Sequence, residues 1–305
     1  MHRAGLGFNS KLRRTKTMSI FSKIVSKIKL PPVKRKLIQI AAFGFCNPQV
    51  QNFFSGKIYT GKWKTFCAPG LSCYSCPAAI FSCPIGAMQA VGGSLDFSFS
   101  FYVVGIVLAI GVLLGRTVCA FLCPFGLLQE IIHKIPSPKF KLPRILCYAK
   151  YIALLFFVLI LPTASSQITG IGDPAFCKYL CPAGTFEGGL PLVVARQELR
   201  GVLGGLFFLK LGILIFTLAA CVFINRFFCK TLCPLGAIYG ILNKASFRHL
   251  KINHATCTRC GACESACPMD VNPVANARSA ECILCGKCAE ICPHGAIKIC
   301  FQNKC

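Results

Sequence analysis

Cys257-Thr258-Arg259-Cys260-Gly261-Ala262-Cys263-Glu264-Ser265-Ala266-Cys267-Pro268 and Cys282-Ile283-Leu284-Cys285-Gly286-Lys287-Cys288-Ala289-Glu290-Ile291-Cys292-Pro293 are two copies of one pattern, separated by 14 residues after Cys267. Each reads Cys-x2-Cys-x2-Cys-x3-Cys-Pro, the spacing with which thiolates wrap a cubane iron–sulfur cluster. Three close cysteines reach three irons of one cube, and the turn that follows carries the fourth cysteine to the other cube. The spacing assigns Cys257, Cys260, Cys263 and Cys292 to one [4Fe-4S] cluster, and Cys282, Cys285, Cys288 and Cys267 to a second. Gly261 and Gly286 fall between ligands, where the backbone must turn tightly. Zinc is the bland alternative, disfavoured by two complete copies that each close on Cys-Pro.

Outward from this stretch, the composition is that of a membrane protein: mean hydropathy is +0.62 and 14% of the residues are charged. A net charge of +25 would suggest nucleic acid as the partner of a soluble protein. Here 11 of the basic residues lie in 1–36, and the first acid is Asp96. That clustering fits a cytoplasmic flank facing anionic membrane lipid, and excludes nucleic acid as a partner. Twenty-three cysteines at metal-thiolate spacings belong in a reducing compartment.

The expected organisation is a basic cytoplasmic segment (1–36), a membrane all-α domain (37–246) and an α+β ferredoxin domain of the bacterial 2[4Fe-4S] type (247–305). The first segment lacks the apolar core and cleavage site of a signal peptide. Its Ile20, Phe21, Ile24, Val25 and Ile28 recur at helical spacing, as in a helix lying on a leaflet. Four transmembrane helices with Cys-Pro-broken ends are expected, at 37–54, 97–114, 145–163 and 202–224. With four crossings one side holds 11, 5 and 10 Lys and Arg residues and the other 3 and 3. The positive-inside rule then gives a multi-pass cell-membrane protein with both termini cytoplasmic. Lys150 and Lys210 are expected to snorkel.

Two spans end in an echo. Arg116-x2-Cys119-x3-Cys123-Pro124-x-Gly126 matches Arg226-x2-Cys229-x3-Cys233-Pro234-x-Gly236. Neighbouring helices would let Cys119, Cys123, Cys229 and Cys233 supply one cluster, with Arg116 and Arg226 offsetting its negative charge. The other side carries Cys67, Cys73, Cys76, Cys83, Cys177 and Cys181. Two readings stay open there. One is a further cluster on Cys73, Cys76, Cys177 and Cys181, with Cys83 a competing ligand; the other is disulfides in an oxidising space. Cys46, Cys147 and Cys221 read as core residues. Gln129, Glu130 and His133 form either a solvated helix face or a contact for a quinone head group.

These motifs, with Cys67-Ala68-Pro69-Gly70-Leu71-Ser72-Cys73-Tyr74-Ser75-Cys76-Pro77, Cys83-Pro84-Ile85-Gly86 and Phe176-Cys177-Lys178-Tyr179-Leu180-Cys181-Pro182-Ala183-Gly184-Thr185, resemble the polytopic membrane 4Fe-4S ferredoxins. That family includes the NapH-type quinol dehydrogenase subunit, the C-terminal half of NosR and the CcoG-type proteins. The resemblance covers residues 34–300. It implies four transmembrane helices and a cytoplasmic two-cluster domain that passes electrons between a membrane donor and a redox partner protein, with quinone a candidate carrier. The flavin-binding domain of NosR and the immunoglobulin-like domain of CcoG have no counterpart in the sequence, so neither flavin chemistry nor a copper role is carried over.

The expected function is that of an electron-transfer component of an oxidoreductase system. A gap of about 30 Å between membrane faces is too wide for one fast electron step, so clusters at the two faces would act as relays. Arg116, Arg226 and Lys178 are the expected tuners of potential. The alternative is an accessory factor that reduces a metal or outward thiols for a partner enzyme, with Cys73/Cys76 and Cys177/Cys181 as exchanging pairs.

Overall fold

A computed structural model describes residues 32–92, 98–169 and 172–302. The proposed leaflet helix around Ile20–Ile28 lies outside the described residues. Among the described residues, two helices are long and apolar enough to cross a membrane, Arg144–Ile168 and Gly205–Phe223. Their outward faces are apolar, with Ile152, Phe156, Phe208 and Phe216 at least half exposed.

Of the four expected crossings, only these two pass that test among the described residues. The 37–54 segment breaks into a helix at Pro32–Cys46 and a short turn of helix at Asn52–Ser55. Pro48 lies just beyond Cys46, and the residue before a proline avoids the helical region, so the first helix stops there. At 1.5 Å per residue its length is about 22 Å, short of a 30 Å hydrocarbon core. Its buried face is polar: Arg35 is fully buried against Glu130, and Gln39 Nε2 donates to the Cys123 carbonyl (3.4 Å). The Ser98–Leu114 helix, at 17 residues, is also below the usual spanning length. The charge count that placed both termini together rested on the first crossing and falls with it.

The helical domain that precedes the C-terminal region is organised by short helices that begin at Cys-Pro steps. Pro84–Gly92, Pro124–Ile132, Pro182–Gly184 and Pro234–Asn243 each start on the proline, which has no N–H to waste in the first turn. They pack among the longer helices around one continuous apolar core. That core holds Leu71, Val107, Phe125, Phe176, Phe228 and Tyr239, and cysteines from both sets: Cys83 and Cys181, Cys123 and Cys233. The two sets do not lie on opposite surfaces. They share an interior.

The C-terminal region folds as a small α+β unit. Strands Arg248–Ile252 and Ile297–Phe301 pair antiparallel, with Leu250 opposite Ile299. Short helices Ala262–Ser265 and Lys287–Ile291 follow Gly261 (φ 77°) and Gly286 (φ 86°), the left-handed turns that glycine adopts without penalty. Arg259 and Leu284, two residues before each glycine, are left-handed as well, so the two motifs fold alike. The unit is docked on the helical domain: Asn243 Nδ2 donates to the Ser279 (2.8 Å) and Cys282 (3.1 Å) carbonyls. Lys230 pairs with Asp270, and Arg116 and Lys150 both pair with Glu281. Lys150, expected to snorkel, is fully buried in that ion pair instead.

Candidate cysteine cluster sites

Three cavities are each bordered by one of the cysteine tetrads read from the sequence. Cys257, Cys260, Cys263 and Cys292 border a cavity of about 330 Å³ at the far end of the C-terminal unit. Cys267, Cys282, Cys285 and Cys288 border the next, walled by Leu250, Val271 and Ile283. Cys119, Cys123, Cys229 and Cys233 border the third, inside the membrane domain. Among the described residues no three His, Cys, Asp or Glu side chains converge closely enough for a single metal ion. The thiols ring a void instead. A four-iron cluster, with one thiolate per iron, fits that arrangement better than a tetrahedral zinc.

The charges fit such a group too. Burial pushes the Cys282 and Cys288 thiols up to about 12, so that only ligation would make them thiolates at neutral pH. Around the inner tetrad, Arg35, Arg116, Arg226 and Lys150 face only two carboxylates, Glu130 and Glu281. Arg116 Nε and Arg226 Nη2 are buried with no hydrogen-bond partner among the described residues. A net-negative cluster would answer both the surplus positive charge and the orphaned donors. Burial opposes ionisation of Glu281, but Arg116 and Lys150 outweigh it and hold its carboxyl below the usual range.

The inner tetrad has the symmetry the sequence echo predicts. Arg116 Nη2 reaches the Cys229 carbonyl (3.5 Å), and Arg226 Nη1 the Cys119 carbonyl (2.9 Å), so each arginine secures the opposite half. A Cβ on Gly236 would meet Arg116 Nη2 at 3.1 Å, and one on Gly126 would meet the Arg226 guanidinium at 3.4 Å. The Gly of each Cys-Pro-x-Gly makes room for the other half's arginine.

The outer cysteines gather differently from the expected set. Cys73, Cys83, Cys177 and Cys181 all lie within electrostatic reach of one another. A Cβ on Gly184 would sit 3.6 Å from Cys73 Sγ and 3.7 Å from Cys181 Sγ, and one on Gly86 would sit 3.9 Å from Cys177 Sγ. Cys76 also lies beside Cys73, but its thiol donates to Asn47 Oδ1 (3.6 Å) in a small core with Ala78 and Ala79. Cys67 forms a backbone bridge with Ser82, the residue before Cys83. All six outer cysteines are free thiols, with no disulfide among them. Among the described residues no arginine attends this site, and its nearby cations are Lys64, within reach of Cys73, and Lys210, within reach of Cys177. Glu187 Oε2 accepts the Cys73 N–H (2.7 Å), and burial, opposed by that bond, pushes the Glu187 carboxyl up to about 7.

The residues expected at a solvated or quinone-binding face are structural. Glu130 takes two bonds from Arg35 (3.1 and 2.5 Å) and one from Arg226 Nε (2.9 Å). His133 Nδ1 lies 3.1 Å from the Cys221 carbonyl. Lys178, expected to tune a cluster, pairs with Asp173 at the surface. The sequence reading passed over Gln89, Glu187 and Tyr239, although all three stand six residues after a Cys-Pro cysteine.

Comparison with known proteins points the same way. A family model described as a 4Fe-4S binding domain matches residues 95–143, 153–194 and 206–253, and one described as a 4Fe-4S dicluster domain matches 249–293. An uncharacterized protein of Methanocaldococcus jannaschii is 32% identical over 54% of this chain and 64% of its own length. YccM of Escherichia coli, named for electron transport, is 29% identical over 57% of this chain and 48% of its own. The methylamine utilization ferredoxin-type protein MauN of Paracoccus denitrificans is 26% identical over 60% of this chain and 55% of its own. The chain thus spans about half to two thirds of the length of these relatives. No solved structure matches. The chain carries 4Fe-4S ferredoxin-type domains, is homologous to these electron-transport and ferredoxin-type proteins, and binds [4Fe-4S] clusters.

Proposed function

We propose that this protein is a membrane-bound electron conduit with four [4Fe-4S] sites in one line. The order is Cys73/Cys83/Cys177/Cys181, then Cys119/Cys123/Cys229/Cys233, then Cys267/Cys282/Cys285/Cys288, then Cys257/Cys260/Cys263/Cys292. Cys83 takes the place first expected for Cys76. The observation that carries this reading is continuous apolar packing between neighbouring sites. Cys119 shares a small core with Ala120, Phe121, Ile283, Cys267 and Cys285, which joins the membrane domain to the C-terminal unit. On the other side, the Leu71 N–H faces the Cys123 thiol while Cys73 stands two residues on. Two residues of chain span at most about 7 Å.

A [4Fe-4S] cluster supplies one-electron redox chemistry when bound. The chain's residues fix the spacing between sites, keep water from the middle two, and set potential by charge and hydrogen bonding. Arg116 and Arg226 at the inner site, against Glu187 at the outer one, favour a higher potential at the inner site. An apolar cavity of about 680 Å³, lined by Phe53, Phe125, Leu128, Phe186 and Glu187, adjoins both membrane-domain sites. It suits a ring-and-chain carrier such as a quinone, with membrane lipid around it and a redox partner protein at the exposed Cys260 end.

Iron and acid-labile sulfide on anaerobically purified protein test this reading. About 16 Fe per chain is expected, four per site. About 8 Fe would leave only the C-terminal pair and overturn the conduit. Cys119→Ser should remove one EPR signal, spare the C-terminal pair, and stop electrons passing between the outer site and that pair.

A further inference from the structure

The two membrane-domain sites share more than cysteine spacing. Six residues after Cys83 stands Gln89, and six after Cys123 stands Gln129; both are fully buried. Gln89 Oε1 accepts the N–H of Phe176 (2.8 Å), and its Nε2 donates to Cys177 Sγ (3.2 Å) and the Ile85 carbonyl (3.2 Å). Gln129 Oε1 accepts the N–H of Phe228 (3.1 Å), and its Nε2 donates to Cys229 Sγ (3.2 Å) and the Phe125 carbonyl (3.2 Å). The three bonds are the same in both places: back to the helix's own turn, across to the backbone before the partner cysteine, and onto that cysteine's sulfur. A backbone N–H can only donate, so the amide orientation is fixed and the nitrogen must face the sulfur.

Chance does not place two side chains so alike 40 positions apart. Each tetrad is assembled from two segments distant in sequence, and each glutamine joins one segment to the other at the cysteine. A buried amide with every bond made is specific, because any slip strands polar groups away from water. We propose that Gln89 and Gln129 are paired positioning residues of the membrane-domain cluster sites. Each locks its Cys-Pro helix to the opposite half and sets the potential of its own site through one N–H···S bond to Cys177 or Cys229.

The inference rests on the four-site reading, and the test separates the two. Gln→Glu keeps the oxygen that accepts the Phe N–H but removes the N–H that reaches sulfur; Gln→Leu removes both. Wild type, Gln89→Glu, Gln129→Glu and the two Leu variants would be purified anaerobically, their iron counted and each cluster's midpoint taken by EPR-monitored titration. With about 16 Fe in wild type, each Glu variant should keep its iron and show a lower midpoint at its own site alone, since a donor to the sulfur favours the more negative, reduced state. Each Leu variant should fall to about 12 Fe by losing that one site. Wild-type midpoints in both Glu variants, with iron intact, would overturn the inference and leave the conduit standing. About 8 Fe in the wild type would remove the sites themselves.

Discussion

Glu281→Ala should loosen the C-terminal unit from the membrane domain without disturbing either one's fold. The Glu281 carboxylate receives Arg116 Nη1 at 2.9 Å and also pairs with Lys150; both cations are wholly buried, while Glu281 keeps 21% of its surface. Removing one partner of a buried ion pair costs about 3–5 kcal/mol, because the other charge is left uncompensated. Two cations are stranded here, which argues for the upper end. Water can enter through the exposed side of residue 281, and Arg116 keeps its bond to the Ala280 carbonyl (2.7 Å), which argues for the lower. About 3 kcal/mol is the expected loss, roughly a hundredfold in the docked-to-undocked equilibrium. Hydrogen exchange at the Phe247 amide, bonded across the dock to the Val112 carbonyl (2.9 Å), reads that opening. Lys141→Ala is the control. Its pair with Glu264 is 3.6 Å long with Lys141 67% exposed, so exchange should change by less than about threefold. If Glu281→Ala behaved like the control, the ion pairs would not be what holds the dock, and Asn243 would have to carry it.

Other outcomes follow from the same geometry. Cys83→Ser should remove the outer site's EPR signal while Cys76→Ser leaves it, read side by side with iron content; the reverse would restore the set first expected from sequence. Glu130→Ala strands Arg35 and Arg226 together and should lower the membrane domain's stability by about 4 kcal/mol in detergent unfolding. Replacing all three with apolar residues should recover most of that loss, as buried ion triads elsewhere do. Gly286→Ala meets no close atom, only Ile299 Cδ1 at 3.7 Å, so its cost is the left-handed backbone alone, about 1 kcal/mol by equilibrium unfolding of the holoprotein.

What sequence could and could not tell divides along physical lines. Ligands that share a short stretch were legible, because Cys-x2-Cys-x2-Cys has few ways to present three thiols. The inner tetrad was legible because one Arg-x2-Cys-x3-Cys-Pro-x-Gly pattern recurs after two helices, and its four cysteines border one cavity. The choice between Cys76 and Cys83 at the outer site was not legible from spacing, since both stand close to Cys73 in space and only the Cys76 thiol is spent on Asn47. The better signal was Cys83-Pro84-x-Gly86, which matches Cys123-Pro124-x-Gly126; extending that match three residues would have found Gln89 and Gln129. The first crossing was misjudged because the charge count that argued for it does not weigh the stop at Pro48. The partners of Lys150 and Glu130 could not be read at all. Glu281 lies 131 residues from Lys150, and Glu130 lies 95 from Arg35, and no local pattern encodes such pairings.

The order of cysteines along the chain has a consequence for biosynthesis. The outer site takes Cys73 and Cys83, the inner one Cys119 and Cys123, then the outer Cys177 and Cys181, and the inner Cys229 and Cys233. The two sites are therefore interleaved, and each half waits for about a hundred residues of further synthesis, on the order of 5–20 s at ribosomal speed. Through that interval Cys119 and Cys123 form a half-site that follows the apolar Ser98–Leu114 helix. Neither site can close before the segment that completes it has been threaded past the other. A cell making this protein must deliver preformed iron–sulfur units late, after the last Cys-Pro helix is in place, and must shield paired thiols from oxidation until then.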